Sequence, residues 1–341
     1  MRKITLAFVC CCALAFLLSC SGGKYNTKRN LTVVFYNVEN LFDIFNEPGK
    51  HDGEFTPEGV KKWTEERYNK KLADLSKVLS SINHEELPEL IGLCEVENRE
   101  VVEELLHTGG LQNAEYRVVH FESPDFRGID VALAYRAGEF SVIAQEPIHI
   151  SFENNPGYHT RDILYVKGRT NNREVFHIFV NHWPSRIGGA AKTEPKRIFV
   201  AAILRSRVDS ILSVEPNANI IIMGDMNDEP ANKSLESVLK ASYSLSSKDN
   251  GLVNLMFKLD KEGKGSYKYR GKWNMLDNLV VSSGLFDKKG FRCTGYGVVF
   301  HKKWMEYKNR NGSIFPNRTY GGPNYYGGIS DHFPVYFRMV R

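Results

Sequence analysis

The chain alternates between short apolar runs and polar loops, a pattern that predicts several strands. The clearest run is Ile220–Met223, which stops at Gly224 and is followed at once by Asp225 and Asn227. An apolar run without polar alternation is typical of a strand that is buried on both faces. Such a strand places the polar side chains that follow it at the rim of a sheet, where functional loops are common. An Asn/Asp turn without a function is the alternative interpretation.

Other segments repeat this pattern. Stretches rich in β-branched and aromatic residues predict further strands at 31–37, 89–94, 129–135, 175–180, 276–282 and 334–340. Apolar residues at helical spacing predict one helix from Thr64 to Ile82, and another that begins at Thr193-Glu194-Pro195 and runs through Ile211. Residues 46–59 are rich in Gly, Pro and charge and predict a long loop. Many strands with few helices favour an α/β (α+β) fold of stacked sheets covered by helices.

The first twenty residues have the pattern of an export signal. Arg2 and Lys3 precede an apolar run over residues 4–18, which is too short for a typical membrane-spanning helix. The sequence Leu17-Leu18-Ser19-Cys20 resembles the bacterial lipobox, whose cysteine is lipidated. We therefore predict a signal peptide over 1–20, a tether over 21–30, and an exported protein anchored at Cys20 to the periplasmic face or cell surface of a bacterial membrane. An ordinary signal peptide with an incidental cysteine is the alternative, and membrane fractionation of a Cys20→Ala chain distinguishes the two.

Composition narrows the class of protein. Four of the six cysteines lie within residues 1–20, so Cys94 and Cys293 remain, and they form neither a disulfide framework nor a zinc motif. Lys and Arg number 45 against 40 Asp and Glu, and loss of the signal reduces the excess to three. This mild basic excess permits a polyanionic substrate without selecting one. Residues 31–341 show no repeat or linker, so a single domain and a monomer are expected.

Polar residues of a few kinds stand at the ends of the predicted strands. They are Asn37, Glu95, His182, Asp225, Asn227, Asp277, Asp331 and His332. Taken singly, each has a structural alternative: Glu95 and especially Glu97 fit solvated strand ends, and His182 fits a half-buried histidine. Taken together, carboxylates, amides and two histidines are the groups that metal-assisted hydrolysis requires. Hard oxygen ligands suit Mg²⁺ or Mn²⁺, and the sequence has no Cys–His cluster for zinc.

Seven stretches resemble, in order, the motifs of the endonuclease/exonuclease/phosphatase superfamily, which includes pancreatic-type deoxyribonuclease and abasic-site endonucleases. They are Tyr-Asn-Val-Glu-Asn (36–40), Gly-Leu-Cys-Glu-Val-Glu-Asn (92–98), Arg-Gly-Ile-Asp-Val-Ala-Leu-Ala-Tyr-Arg (127–136), Asn-His-Trp-Pro-Ser-Arg (181–186), Gly-Asp-Met-Asn-Asp-Glu-Pro (224–230), Leu-Asp-Asn-Leu-Val-Val-Ser (276–282) and Ser-Asp-His-Phe-Pro-Val (330–335). The resemblance spans about 31–340. It implies a four-layer α-β-β-α sandwich of two packed mixed β-sheets flanked by helices.

The resemblance also implies roles for the residues at the matching motif positions. Asn37 and Glu95 would help to hold a divalent metal, Mg²⁺ or Mn²⁺, with Glu95 binding directly and Asp331 in the same region. Asp225 would orient or deprotonate the attacking water, and Asn227 would fix the phosphate.

The remaining roles concern the phosphate and the leaving group. His332 would contact a phosphate oxygen while Asp277 holds its imidazole, and His182 would be a candidate general acid. Arg161 and Tyr158 match more loosely as phosphate contacts, and a surface salt bridge or a packing role is the alternative for each.

These roles imply a metal-dependent phosphodiesterase, most simply a nuclease with little sequence preference whose substrate is nucleic acid. A phosphomonoesterase or a phospholipase of the same family remains an alternative. The inositol-phosphate branch is disfavoured because residues 272–277 lack the Cys and Arg of its Trp-Cys-Asp-Arg-like stretch. If the protein is not an enzyme, the alternative is a non-catalytic surface lipoprotein that uses the same fold for binding. The choice between DNA and RNA, and between endo- and exonucleolytic cleavage, stays open at this point.

Overall fold

A computed structural model describes residues 30–83, 86–243, 251–287 and 289–341. The predicted signal peptide, the Cys20 anchor and the tether up to residue 29 lie outside these residues. Within the described ranges, no helix combines the length and the apolar content needed to cross a bilayer.

The strands and helices follow one another along the chain in short segments. The strands are β1 (Asn30–Leu41), β2 (Leu90–Val96), β3 (Tyr116–His120), β4 (Asp130–Arg136), β5 (Phe140–Ile148), β6 (Ile163–Thr170), β7 (Val175–His182), β8 (Asn219–Asp225), β9 (Ala241–Ser242), β10 (Leu252–Asn254), β11 (Tyr267–Tyr269), β12 (Lys272–Asn274), β13 (Asp277–Ser282), β14 (Arg292–Cys293), β15 (Val298–Val299), β16 (Glu306–Lys308), β17 (Ile314–Pro316), β18 (Tyr320–Gly321), β19 (Asn324–Tyr325) and β20 (Val335–Val340). The α-helices are α1 (Glu65–Ser80), α2 (Arg99–Leu106), α3 (Ala190–Val214) and α4 (Phe257–Lys261). Short 3₁₀ turns lie at Gly53–Phe55, Gly109–Leu111, Ser283–Phe286 and Lys303–Met305, and a π-helical turn lies at Ser234–Val238.

The long strands form two mixed sheets, each with seven strands among the described residues. The first has the order β14-β20-β1-β2-β4-β3, with β15 also paired to β20, and the second has the order β5-β6-β7-β8-β13-β10-β9. The pairs β1–β2 and β7–β8 are parallel, whereas β20 and β13 run antiparallel to β1 and β8. In the first sheet, the carboxyl ends of β1 and β2 therefore lie at the same edge as the amino end of β20. In the second sheet, the carboxyl ends of β7 and β8 lie at the same edge as the amino end of β13.

Three buried clusters define the layers. Phe35 and Met223 belong to the cluster between the two sheets. Val34 packs with Leu75 of α1 on the outer face of the first sheet, and Leu204 of α3 packs on the outer face of the second. The fold is therefore the four-layer α-β-β-α sandwich of two mixed sheets that the sequence predicted.

The position of the central strand β8 explains why polar and apolar residues do not alternate in its sequence. Ile221 and Met223 face the inter-sheet core, whereas Ile220 and Ile222 face α3, and all four side chains are fully buried. The prediction of a strand buried on both faces is confirmed.

The predicted start of the second helix is wrong by one turn. The helix α3 begins at Ala190, and Thr193 lies inside it, with its hydroxyl donating to the carbonyl of Gly189 at 3.0 Å. Pro195 lacks the N–H that would bond the carbonyl of Ala191. Because Ala191 is exposed, water can satisfy that carbonyl, and the helix tolerates the proline.

Gly224 permits a close approach of two parallel strands beside the polar end of β8. A Cβ at this position would lie 2.5 Å from the carbonyl oxygen of Asn181. We expect Gly224→Ala to lower the free energy of unfolding by about 1–3 kcal/mol, because the backbone of β7 must shift. Urea denaturation measures this, with Gly138→Ala as the control, since a Cβ at Gly138 meets no atom within 4 Å. Equal stabilities for the two variants would contradict the packing argument.

Candidate active site

On the second sheet, the hydrophobic residues that face the inter-sheet core end in a row of polar residues. Along β7, β8 and β13, alternate residues face the first sheet and are hydrophobic up to the last row, which consists of His182, Asp225 and Asp277. The strand register pairs Asp225 with His182 on one side and with Asp277 on the other. Strand alternation therefore brings together three of the predicted site residues, which are distant in sequence.

Asn37 connects this row to the first sheet. It lies on the inner face of β1, and its Nδ2 donates to Asp225 Oδ2 at 3.0 Å and to Glu95 Oε1 at 3.4 Å. Its Oδ1 accepts the backbone N–H of Glu39 at 3.0 Å. In this arrangement the amide orients two carboxylates, and its oxygen is already engaged by the backbone.

Glu95 reaches the cluster because β2 contains a bulge. The pairing register shifts between Cys94 and Val96, and Glu95 has φ of +62°. Its Oε2 accepts the N–H of Asn40 at 3.0 Å, and its Oε1 lies 3.8 Å from His182 Nε2. The carboxylate retains partial solvent access, with 14% of the side chain exposed, which leaves room for a ligand. The bulge thus re-aims one side chain into the site.

The interpretation of Glu97 as a solvated strand end is wrong. The bulge breaks the alternation, so Glu97 points into the layer beneath the loop after β1, where it is fully buried. Its Oε2 accepts the N–H of Asp43 at 2.7 Å. Burial raises the pKa of Glu97 to about 9, and Asp43 and Asp52 add to the shift.

Glu97 gives the folded state a distinct pH dependence. The folded pKa exceeds the unfolded value, so the folded protein holds a proton that the unfolded chain releases, and stability falls as pH rises from about 4.5 to about 9. Glu97→Gln mimics the neutral form, so we expect its stability relative to wild type to rise across that window, by at most about 1.4 kcal/mol per pH unit. Urea titrations at pH 5, 7 and 9 test this, with exposed Glu100→Gln as control. A difference that does not change with pH would contradict a protonated Glu97.

His332 and Asp277 form the most tightly held pair of the site. The Nδ1 of His332 lies 2.6 Å from Asp277 Oδ2, and the ring stacks on Tyr267 with centroids 4.8 Å apart. Burial lowers the pKa of His332, but the charges of Asp277, Asp225 and Asp331 outweigh it and raise the pKa well above its usual range. His332 is therefore a buried cation at neutral pH, with Nε2 3.8 Å from Asp225 Oδ2.

His182 has the opposite electrostatic character. Burial, together with the charges of Arg161, Arg127 and His332, lowers its pKa well below the usual range, so the imidazole is neutral at pH 7. Its Nε2 lies 3.8 Å from both Glu95 Oε1 and Asp225 Oδ2, and its Nδ1 is buried without a hydrogen-bond partner among the described residues. The two histidines thus face one carboxylate in different protonation states.

Asp225 and Asn227 lie in the turn that ends β8. Asp225 Oδ1 accepts the N–H of Asn227 at 2.9 Å, and Asn227 Nδ2 donates to the carbonyl of Trp183 at 3.0 Å. Asn227 has φ of +49°, a left-handed conformation that Asn tolerates better than most residues. Burial raises the pKa of Asp225 and His332 lowers it, so the carboxylate is ionised more easily while His332 is charged.

Arg161 and Tyr158 were the looser predictions for phosphate contact. Arg161 is buried and donates to the carbonyls of His182 at 3.1 Å and Trp183 at 2.6 Å, and it pairs with Asp125 at 2.9 Å. The alternative of a surface salt bridge is wrong because the pair is buried, and the contacts favour packing, in which Arg161 fixes the backbone that carries His182. Tyr158 is half-buried and packs under the ammonium of Lys196, 3.2 Å from the ring centroid.

The chemistry of the cluster fits a hard divalent cation. Glu95, Asp225 and Asp331 bring carboxylates to one end of the core, where burial raises the pKa of Asp225 and Asp331 and the charge of His332 lowers it. Ligand atoms of Asp225, Asp277 and His332 also lie within 4.8 Å of one another, although the His332–Asp277 hydrogen bond accounts for part of that proximity. Glu95 and Asp331 offer the carboxylate oxygens that would suit a hard divalent cation.

A buried lysine that the sequence did not predict lies near Glu39 and Asp331. The ammonium of Lys71 donates to the carbonyls of Glu39 and Ile329 and to Thr319 Oγ1, at 3.2, 2.5 and 2.6 Å. Burial raises the pKa of Glu39 to about 7 and lowers the pKa of Lys71 to about 8. Arg318 pairs with Asp331 directly, and its Nη2 lies 3.1 Å from Asp331 Oδ2. Its position among the apolar residues of α1 is the sequence feature that could have indicated burial of Lys71.

Residues 32–341 match the Endonuclease/Exonuclease/phosphatase family. The chain belongs to this family of hydrolases. No match to this chain is found among the curated proteins. The family membership rests on nearly the whole described domain and agrees with the motif order in the sequence.

Solved structures share the fold at low sequence identity. An endonuclease/exonuclease/phosphatase family protein from Bacteroides thetaiotaomicron is 15% identical, with a TM-score of 0.55 over 91% of this chain and 97% of that chain. The catalytic domain of human Nocturnin, with a bound sulfate, is 16% identical, with a TM-score of 0.55 over 91% and 94%. A mannosyl-6-phosphatase from Bacteroides thetaiotaomicron is 15% identical, with a TM-score of 0.56 over 91% and 100%. At these identities the likeness establishes the fold alone.

Proposed function

We propose that the protein is a divalent-metal-dependent phosphodiesterase of nuclease type that cleaves nucleic acid with little sequence preference. The observation that carries this proposal is the position of Asp225 Oδ2, 3.8 Å from the Nε2 atoms of both His182 and His332. A carboxylate between a neutral and a charged imidazole offers a proton acceptor, a second proton-transfer group and a cation within one small space. Hydrolysis of a phosphodiester with a poor leaving group requires these three functions.

Each residue has a role that follows from its surroundings. Asp225 accepts the proton of the attacking water, because its Oδ1 is held by the Asn227 N–H while its Oδ2 faces the site. His332, kept protonated by Asp277, neutralises a phosphate oxygen on which charge develops. A divalent cation at Glu95 and Asp331 would supply Lewis-acid stabilisation of the same charge when bound.

The general-acid role of His182 requires a proton that the free imidazole lacks. An incoming phosphate beside Nε2 adds negative charge next to a ring whose pKa is lowered by burial and by neighbouring cations. The substrate therefore favours the protonated form, and His182 would gain its proton together with the substrate. It would then donate this proton to the sugar oxygen that leaves.

A substrate and metal panel tests the proposal. Single- and double-stranded DNA, RNA, bis(p-nitrophenyl) phosphate and p-nitrophenyl phosphate are incubated with Mg²⁺, Mn²⁺, Ca²⁺ or chelator. We expect cleavage of nucleic acid and of the aryl diester with Mg²⁺ or Mn²⁺, and none with chelator. Release of phosphate from the monoester without diester cleavage would instead assign a phosphomonoesterase. Turnover of no phosphate ester with any metal would overturn the enzyme assignment.

A further inference from the structure

A cleft opens from the catalytic cluster on the side of His332. It has a volume of about 630 Å³ and is bounded by the two-stranded sheets β11–β12, β16–β17 and β18–β19. Five aromatic residues contribute to its wall, namely Tyr267, Tyr307, Phe315, Tyr325 and Tyr326. We call it the aromatic cleft. Its volume lies in the range of sites that bind organic ligands.

The aromatic cleft adjoins the site proposed for phosphate hydrolysis at Tyr267 and Asp331. Tyr267 lines the cleft and stacks on the imidazole of His332 with centroids 4.8 Å apart. Asp331 lies at the same junction and is paired with Arg318, which also lines the cleft. A phosphate held at His332 would therefore place its organic substituent among the aromatic rings.

Two of these rings are exposed on well-supported hairpins. Tyr307 and Tyr326 expose 54% and 60% of their surface. The ring of Tyr326 lies against Gly321, where a Cβ would come within 2.5 Å of Cε2. Phe315 is held under the ammonium of Lys268, 4.7 Å from the ring centroid, and that ammonium also donates to the carbonyl of Ile314 at 2.8 Å. These contacts hold Tyr326 and Phe315 in place, so the wall of the cleft offers ring faces on which flat groups can stack.

The hairpins around the cleft concentrate positive charge. The segments 267–274 and 306–316 contain five Lys or Arg residues against one acid: Lys268, Arg270, Lys272, Lys308 and Arg310 against Glu306. The whole chain without its predicted signal has an excess of only three such charges. A local excess of this kind is complementary to a polyanion.

We propose that the aromatic cleft binds unpaired bases of a single-stranded nucleic acid next to the scissile phosphate, so that the protein prefers single strands to duplexes. The proposal rests on the proposed phosphodiesterase function and names its substrate class. Exposed aromatic rings combined with surrounding cations are the usual means of binding single strands, because bases stack on the rings and phosphates contact the cations. Bases in a duplex are stacked on each other and do not present their faces to such a wall.

The test measures binding of a fluorescein-labelled DNA 12-mer and of its duplex, in chelator so that cleavage does not interfere. Wild type is compared with Tyr307→Ala and Tyr326→Ala, with Tyr307→Phe and Tyr326→Phe, and with Tyr296→Ala. Tyr296 is a matched control because it is 55% exposed and packs under Lys258, away from the cleft. Melting temperatures verify that each variant is folded.

We expect wild type to bind the single strand more tightly than the duplex. Each cleft Tyr→Ala change should weaken single-strand binding roughly 5- to 100-fold, whereas the Phe variants and Tyr296→Ala retain it. Equal affinity for single strand and duplex, or single-strand binding unaffected by both Ala variants, would overturn the cleft proposal. Metal-dependent cleavage of bis(p-nitrophenyl) phosphate by wild type is measured separately, so failure of the proposed function remains distinguishable from failure of the cleft proposal.

Discussion

Asp225→Asn is expected to lower kcat for phosphodiester hydrolysis roughly 10²- to 10⁴-fold, the range that removal of a general base gives. The substitution keeps the size of the side chain and preserves an acceptor for the Asn227 N–H, which Asp225 Oδ1 accepts at 2.9 Å. It removes the charge that faces the Nε2 atoms of His182 and His332. Steady-state kinetics on bis(p-nitrophenyl) phosphate with Mg²⁺ measures the effect.

The stability of Asp225→Asn separates a catalytic from a structural role. The amide loses the hydrogen bond that Asp225 Oδ2 accepts from Asn37, but burial disfavours the carboxylate, so the melting temperature of the metal-free protein should change little. Asp209→Asn is the control, because Asp209 is exposed on α3 and pairs with Arg205. Asp225→Asn with wild-type kcat would remove Asp225 from the chemistry, and a fall in activity only in proportion to unfolding would make it structural.

His182→Ala should discriminate between substrates by the quality of their leaving groups. We expect cleavage of nucleic acid to fall roughly 10²- to 10⁴-fold, because a sugar alkoxide needs a proton as it leaves. Hydrolysis of bis(p-nitrophenyl) phosphate should fall less than about 10-fold, since nitrophenolate leaves without protonation. Parallel assays of both substrates at one pH and one Mg²⁺ concentration measure the difference.

A second histidine provides the control for this comparison. His107 lies at the end of α2, where its Nδ1 lies 2.7 Å from the carbonyl oxygen of Glu103, and His107→Ala should affect neither substrate. Equal losses of both activities in His182→Ala would exclude the general-acid role and leave His182 as a positioning residue for Asp225 and Glu95.

The period of two along the strands made much of the site predictable. The backbone period of two along β7, β8 and β13 places His182, Asp225 and Asp277 on one face, and the strand ends place them at one edge. Motif order then connects them to Asn37 and His332 on the other sheet.

The features that the sequence did not predict arise where a bulge breaks the period of two, or where a strand is too short for the period to be detected. A bulge at Glu95 reversed the expected environment of Glu97. The role of Arg161 stayed open in the sequence because two of its three partners are backbone carbonyls, which leave no sequence signal. The aromatic cleft is made by strands of two or three residues, such as Tyr320–Gly321 and Ile314–Pro316, in which no alternation can be read.

The central claim is that the carboxylate cluster hydrolyses phosphodiesters with a divalent metal. The most direct measurement is a Mg²⁺ titration of bis(p-nitrophenyl) phosphate hydrolysis by wild type and Glu95→Gln after chelator treatment. We predict no activity without metal, saturable recovery for wild type, and for Glu95→Gln a loss of 10²-fold or more, with a requirement for more Mg²⁺ because one ligand charge is gone. Wild-type activity that survives chelator, or a Glu95→Gln titration that coincides with wild type, would contradict this account.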